Sequence, residues 1–162
     1  MSNNVKPIPA GMHTITPYII VDDAKKAIAF YKEAFGAHEV MCMDMPNGKV
    51  MHAEIKIGDS TIMLGESCDE RNCVSPLVAG KVTASLMMYS ENVDQTFDKA
   101  VKAGCTVAMP VMDMFWGDRY GQVTDPFGHM WSLATHIEDV KPEDMGKRAA
   151  EAMKQMAGAG AK

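Results

Sequence analysis

Two stretches, Asp23-AKKAIAFYKEAF-Gly36 and Asn92-VDQTFDKAVKA-Gly104, decide the fold of this 162-residue chain. In the first, Ala24, Ala27, Ile28, Tyr31 and Phe35 fall at helical spacing; in the second, Val93, Phe97, Ala100 and Val101 do. Each opens on a residue suited to capping a helix N-terminus and stops at a glycine. Asp23 and Asn92 are 69 positions apart, and Gly36 and Gly104 are 68 apart. Two helices with matched ends at nearly one offset predict an internal duplication.

The surroundings repeat too. Strand-like runs precede the helices at His13 to Val21 and Val82 to Ser90. Three follow the first helix, Glu39 to Met45, Lys49 to Ile57 and Ser60 to Leu64, separated by the turn pairs Asn47-Gly48 and Gly58-Asp59. Three follow the second, Thr106 to Met112, Tyr120 to Thr124 and Met130 to Thr135, with Asp125-Pro126-Phe127-Gly128 as a turn. The expected fold is α+β, two tandem βαβββ modules whose curved mixed sheets form a cavity. The modules are residues 13–65 and 82–136, with an N-terminal extension (1–12), an exposed connector (66–81) and a part-helical tail (137–162). The tail helix is expected over EDMGKRAAEAMKQM, with AGAGAK fraying after it.

Composition narrows the function. With 16 Lys and Arg against 21 Asp and Glu, the net charge is −5, and no long basic cluster offers a nucleic-acid surface. No apolar run reaches the roughly 18 residues of a membrane span, and MSNNVKPIPAGM has no signal-peptide core, so a cytoplasmic protein is expected. Cys42, Cys68, Cys73 and Cys105 form no C-x-x-C pair and read as reduced packing residues. The 16 methionines suit either a soft core or a pocket for varied apolar ligands.

Strand alternation picks out the candidate site. In Lys49 to Ile57 it puts Met51, Ala53, Ile55 and Ile57 under the helix and Val50, His52, Glu54 and Lys56 opposite. In the first strand Ile15, Ile19 and Val21 go helix-side, leaving Thr16, Tyr18 and Ile20; Ser85, Met87 and Tyr89 correspond to these at the 69 offset. Met63 and Ser132 share that face. Met43 and Trp116 complete an expected small-molecule pocket, with Arg119 at its rim to pair an anionic group. His52 and Glu54 are the candidate acid–base pair, weighed against a plain hydrogen-bonded pair in the wall. Phe115 to Tyr120 reads equally as a stacking rim and as a bend with local charge pairing.

The stretches ITPYIIVDDAKKAIAFYKEAFGA, NGKVMHAEIKIGDSTIML, MFWGDRYGQVTDPFGHMWSLATH and EDVKPEDM, spanning residues 12 to about 146, resemble the vicinal-oxygen-chelate superfamily. That superfamily holds glyoxalases, bleomycin-resistance proteins and extradiol dioxygenases, and within it the chain looks most like the PhnB-like branch. Its metal enzymes use four side chains, usually His, Glu or Gln. Carried onto this sequence, the positions are Thr16, His52, Ser85 and Ser132, of which His52 alone is a conventional ligand. The resemblance therefore implies a small-molecule binder without the usual metal or other cofactor, working as a homodimer. The alternatives are a metal-dependent lyase or dioxygenase with an unusual ligand set, or an isomerase using His52 and Glu54.

Overall fold

A computed structural model describes residues 6–68 and 73–159. The order is β1 (Tyr18–Val21), α1 (Ala24–Phe35), β2 (His38–Asp44), β3 (Val50–Ile57), β4 (Ser60–Glu66), the short helix α2 (Pro76–Ala79), β5 (Ser85–Tyr89), α3 (Val93–Ala103), β6 (Thr106–Asp113), β7 (Asp118–Thr124), β8 (Met130–His136) and α4 (Pro142–Ala159). Two separate four-stranded mixed sheets result, β1-β4-β3-β2 and β5-β8-β7-β6. In each, the first strand runs parallel to the last and the remaining pairs are antiparallel. The duplication is thus real at the level of strand order. No helix among the described residues is long and apolar enough to cross a membrane.

The helix entries match closely. Asp23 and Asn92 hold nearly identical backbone angles, φ −143° and −144°, and each side chain accepts from the amide three residues on, Lys26 and Gln95. A side chain from the module's own last strand then accepts from the first helical amide: Glu66 from Ala24 at 3.2 Å, and Thr135 from Val93 at 2.8 Å. Those orphan helical amides are satisfied the same way twice.

The helix-side faces of both sheets share one core. Phe30, Tyr31 and Phe35 of α1 pack on Phe127 and Trp131 of the second module, with the Phe35 and Trp131 rings 4.4 Å apart. Asp125 ties this core together. Its Oδ2 accepts from the Tyr31 hydroxyl (2.7 Å) and Trp131 Nε1 (2.9 Å), and its Oδ1 from the amides of Phe127 and His129. Burial, then the nearby carboxylate, pushes the Tyr31 hydroxyl well above its ordinary pKa, so it stays a donor. His129 Nε2 donates to the Ile20 carbonyl at 2.9 Å, a second link between modules. The Asp-Pro-Phe-Gly turn is therefore a tether between modules as well as a strand reversal.

Several expectations change. The first strand begins at Tyr18, because Pro17 has no amide to donate and Thr16 Oγ1 folds back onto the His13 carbonyl at 3.1 Å. Ile15, expected helix-side, is 83% exposed. In β3 the pairing jumps from Met43↔His52 to Asp44↔Val50, so Met51 is the extra residue of a bulge. Val50 is consequently buried and Met51 exposed, the reverse of simple alternation. The connector is not simply exposed: Ser75 is wholly buried and caps α2. The tail helix runs on to Ala159, past the expected fraying point. Residues 1–5 of the N-terminal extension, 69–72 of the connector and 160–162 of the tail lie outside the described residues.

Candidate functional site

Because the helix-side faces meet in a common core, the two outer faces point away from it. The expected pocket residues accordingly divide into two sets. Tyr18, Met43, His52, Glu54 and Met63 gather on the first sheet; Ser85, Met87, Ser132 and Trp116 gather on the second. The repeat is visible in the register. The row Tyr18, Met63, Glu54, Met41 crosses the first sheet as Met87, Ser132, Gln122, Met109 crosses the second. In the next row Met43 and His52 answer to Met112 and Tyr120.

On the first face three polar groups form a chain. The Tyr18 hydroxyl lies 3.3 Å from His52 Nδ1, and His52 Nε2 lies 3.3 Å from Glu54 Oε1. Tyr18 reaches across β4 because Gly65 leaves room; a Cβ there would sit 2.7 Å from the Tyr18 hydroxyl. The His52 and Glu54 side chains are only 22% and 14% exposed, while Tyr18 and Met43 remain 47% and 42% exposed around them.

On the second face the polar groups are neutral. Tyr120 donates its hydroxyl to Ser132 Oγ at 2.9 Å, Gln122 Nε2 donates to the same oxygen, and Ser132 Oγ lies 3.3 Å from Ser85 Oγ. The Trp116 ring stands edge-on to Tyr120 at 5.6 Å. Beside them, buried Asp118 accepts from Tyr89, Trp116 and His136, and His136 also meets Asp139. Burial alone would raise Asp118, but the hydrogen bonds from His136, Tyr89 and Trp116 hold it below the usual carboxylate range. The bond to Asp118, then that to Asp139, raises His136 above an ordinary histidine. Sequence reasoning missed Gln122 and met Tyr120 only as the end of the Phe115 to Tyr120 segment; applying the 68-residue offset of the helix stops to His52 and Glu54 finds both.

Arg119 does not join the site. Strand parity turns it helix-side, where it forms a two-point bond to Asp94 (2.7 and 2.8 Å) and a third to Asp113 (2.8 Å). Its charge fastens α3 to β6 and β7. The Phe115 to Tyr120 segment thus splits: Trp116 and Tyr120 on the outer face, Arg119 in a local charge cluster. One hollow within the chain, about 650 Å³, lies between the modules against Phe35, Ile62, Leu86, Met88 and Trp131; of the expected pocket residues Met87 lines it.

The inherited metal positions do not fit an ordinary transition metal. Thr16, Ser85 and Ser132 offer hydroxyls engaged with His13, each other, Tyr120 and Gln122, and both His52 nitrogens face partners. The register also corrects the equivalence, since the counterpart of Ser132 is Met63 and that of His52 is Tyr120. Among the described residues no three His, Cys, Asp or Glu side chains gather as a metal site would need.

Comparison with known proteins agrees with this architecture. The family model described as the Glyoxalase/Bleomycin resistance protein/Dioxygenase superfamily matches residues 11–133. An uncharacterized protein of Mycobacterium tuberculosis is 36% identical over 148 residues, covering 90% of this chain and 84% of its own. Among solved structures, TioX from Micromonospora sp. ML1 superposes with a TM-score of 0.62 at 21% identity, covering 77% of this chain and 99% of that one. A PhnB protein from Bacillus cereus, described as a putative 3-demethylubiquinone-9 3-methyltransferase, superposes at 0.59 and 19% identity, covering 76% and 99%. At such identities the two structures speak for the fold alone.

Proposed function

The chain belongs to the glyoxalase/bleomycin resistance protein/dioxygenase superfamily, and from that premise we propose that it binds a small, partly apolar molecule on its outer sheet faces without a metal, as a cytoplasmic homodimer. One observation carries the reading. Both outer faces hold exposed methionine and tyrosine around polar groups that are already hydrogen-bonded to one another. Tyr18 and Met43 are 47% and 42% exposed on the first face, and Met87 and Tyr89 are 45% and 60% exposed on the second, so each face offers apolar surface to a ligand. Flexible thioethers fit ligands of varied shape, and the fixed hydroxyl, imidazole and amide groups orient them.

Half a pocket on each face explains why a second copy is needed. β1 and β5 are edge strands, each bonded on one side, and such edges call for cover. A partner laid against them would bring a first-module face opposite a second-module face and enclose the ligand. The four thiols and the absence of a disulfide-framework spacing suit a reducing compartment.

A second reading rests on the Tyr18–His52–Glu54 chain, which could move a proton at a bound substrate as an isomerase does. The same experiment separates the two. Metals and flat aromatic or cationic compounds are screened by thermal shift with and without chelator, and light scattering gives the mass. A chelator-insensitive ligand shift on a dimer, with no product, is expected. One metal ion per chain, lost in His52→Ala and accompanied by chelator-sensitive turnover, overturns the metal-free binder. Metal-independent turnover that falls in Glu54→Gln establishes the isomerase.

A further inference from the structure

The four cysteines stand in different surroundings, and two of them meet. Cys105 is buried just before β6, and burial, with Asp125 nearby, pushes its thiol up to about 12, out of reach of thiolate chemistry. Cys42, in β2, is turned towards the helix side opposite Ala53, and burial raises it as well. Cys68 and Cys73 lie in the connector, half-buried, and face each other across an isolated antiparallel bridge. They exchange both backbone hydrogen bonds: the Cys68 amide donates to the Cys73 carbonyl at 2.8 Å, and the Cys73 amide to the Cys68 carbonyl at 3.1 Å.

That register sets the separation of the two Cα atoms. Residues of an antiparallel pair exchanging both bonds hold their Cα atoms about 5.5 Å apart, with side chains on the same face of the ribbon. Disulfides span Cα separations of about 4.4–6.8 Å, most often about 5.5–6 Å. Both ends of the bridge are anchored. Ser67 donates its amide to the Val21 carbonyl and its hydroxyl to Asp22, and the same hydroxyl accepts from the Ser75 amide. Ser75, two residues after Cys73, is wholly buried and caps α2, whose Pro76 and Leu77 press against Gly128 in the turn of the second module.

We propose that Cys68 and Cys73 form a reversible dithiol–disulfide pair, closed by a small disulfide oxidant and reopened by thiols. With glutathione disulfide, one protein thiolate attacks a glutathione sulfur, the sulfur–sulfur bond of the oxidant breaks, and the first glutathione leaves. The second protein thiolate then attacks the protein sulfur of the mixed disulfide and expels the second glutathione. Two electrons pass from the protein to the oxidant, and the two thiol protons end on the two glutathiones. Pairs of this kind in reducing compartments are transient and sense redox state rather than build the fold. Closing the ring ties the end of β4 to the residues leading into α2, the link that joins the two modules.

The test uses the full-length native protein, incubated with glutathione disulfide, quenched, alkylated in denaturant and weighed intact. Alkylatable thiols are expected to fall from four to two, with the mass of two hydrogens lost. Peptide mapping should join Cys68 to Cys73, and dithiothreitol should restore all four thiols. In Cys68→Ser and in Cys73→Ser the remaining partner should keep a stable glutathione adduct, since nothing resolves it. Stable adducts on the wild type, a disulfide joining two chains, a bond involving Cys42 or Cys105, or no oxidation at potentials that oxidise a reference dithiol each overturn the proposal.

Discussion

The first module's outer face is organised by the chain Tyr18–His52–Glu54; in the second module Tyr120 and Gln122 stand at the His52 and Glu54 positions and bond to Ser132, whose counterpart is Met63. The framework on the helix side is kept more closely: strand order, N-cap geometry and a side-chain acceptor for the first helical amide repeat in both modules, though the residue types differ. A duplicated fold keeps what closes its core and is free to change what faces outward. Under the proposed function, the asymmetry between the two outer faces is where recognition of a ligand would reside.

The largest effect is expected where the modules are joined. Asp125→Ala removes the acceptor of the buried Tyr31 hydroxyl and Trp131 indole at once, and also frees the Phe127 and His129 amides. Orphaning two buried donors should cost about 3 kcal/mol or more. Urea unfolding of the variant checks this; a loss below 1 kcal/mol would show that the modules do not depend on the tether.

The next comparison uses one glycine from each sheet. A Cβ at Gly121 would meet Phe97 at 2.9 Å and Val111 at 3.0 Å inside the core, so Gly121→Ala should cost roughly 1–3 kcal/mol. The three atoms nearest a Cβ at Gly65 all belong to the exposed Tyr18 side chain, which can swing away. Gly65→Ala should thus leave stability nearly unchanged while parting Tyr18 from His52. Any ligand found by the thermal-shift screen should bind it more weakly. Equal stability losses in the two variants would erase the distinction between closed core and open face.

Affinity can then be apportioned between the faces. If the first face holds the ligand's polar group, His52→Ala should weaken binding by roughly 1–2 kcal/mol, the worth of a hydrogen bond with a group able to carry charge. Tyr120→Phe, which removes one neutral bond, should cost less. Isothermal titration of both against the same ligand decides it, and the reverse order would assign recognition to the second module.

The duplication, the helix limits and the membership of Tyr18, His52 and Glu54 in one face were legible because caps and alternation are local signals. Three other features were not. The Met51 bulge exchanges Val50 and Met51, and an extra residue in a strand leaves no mark in an alternating pattern. An arginine among aromatics suggests an anion site at a rim, whereas the partners of Arg119, Asp94 and Asp113, are 25 and 6 positions away and only folding brings them together. The Cys68–Cys73 bridge follows from the connector's backbone pairing, which a five-residue spacing does not announce.

The smallest effect is a pH dependence confined to the second module. His136 is raised above its unfolded value near 6.5 by Asp118, then Asp139. Its contribution to stability is fully present below that unfolded value and is lost as pH rises through the folded one. Asp118 is lowered, so its contribution is present above an ordinary carboxylate pKa and lost only in acid; between pH 6 and 9 it is constant. Tyr89 is raised from 10 and stays protonated across the same window. The stability difference between wild type and His136→Gln should therefore be greatest near pH 6 and shrink towards pH 9. The equivalent position of the first module, 69 residues earlier, is Ser67, which holds Asp22 through a hydroxyl that does not titrate. The difference between wild type and Ser67→Ala should stay level over the same range. Urea midpoints of the three proteins at pH 6, 7.5 and 9 provide the measurement. A His136→Gln difference as flat as that of Ser67→Ala would mean that the imidazole between Asp118 and Asp139 carries no charge that folding uses.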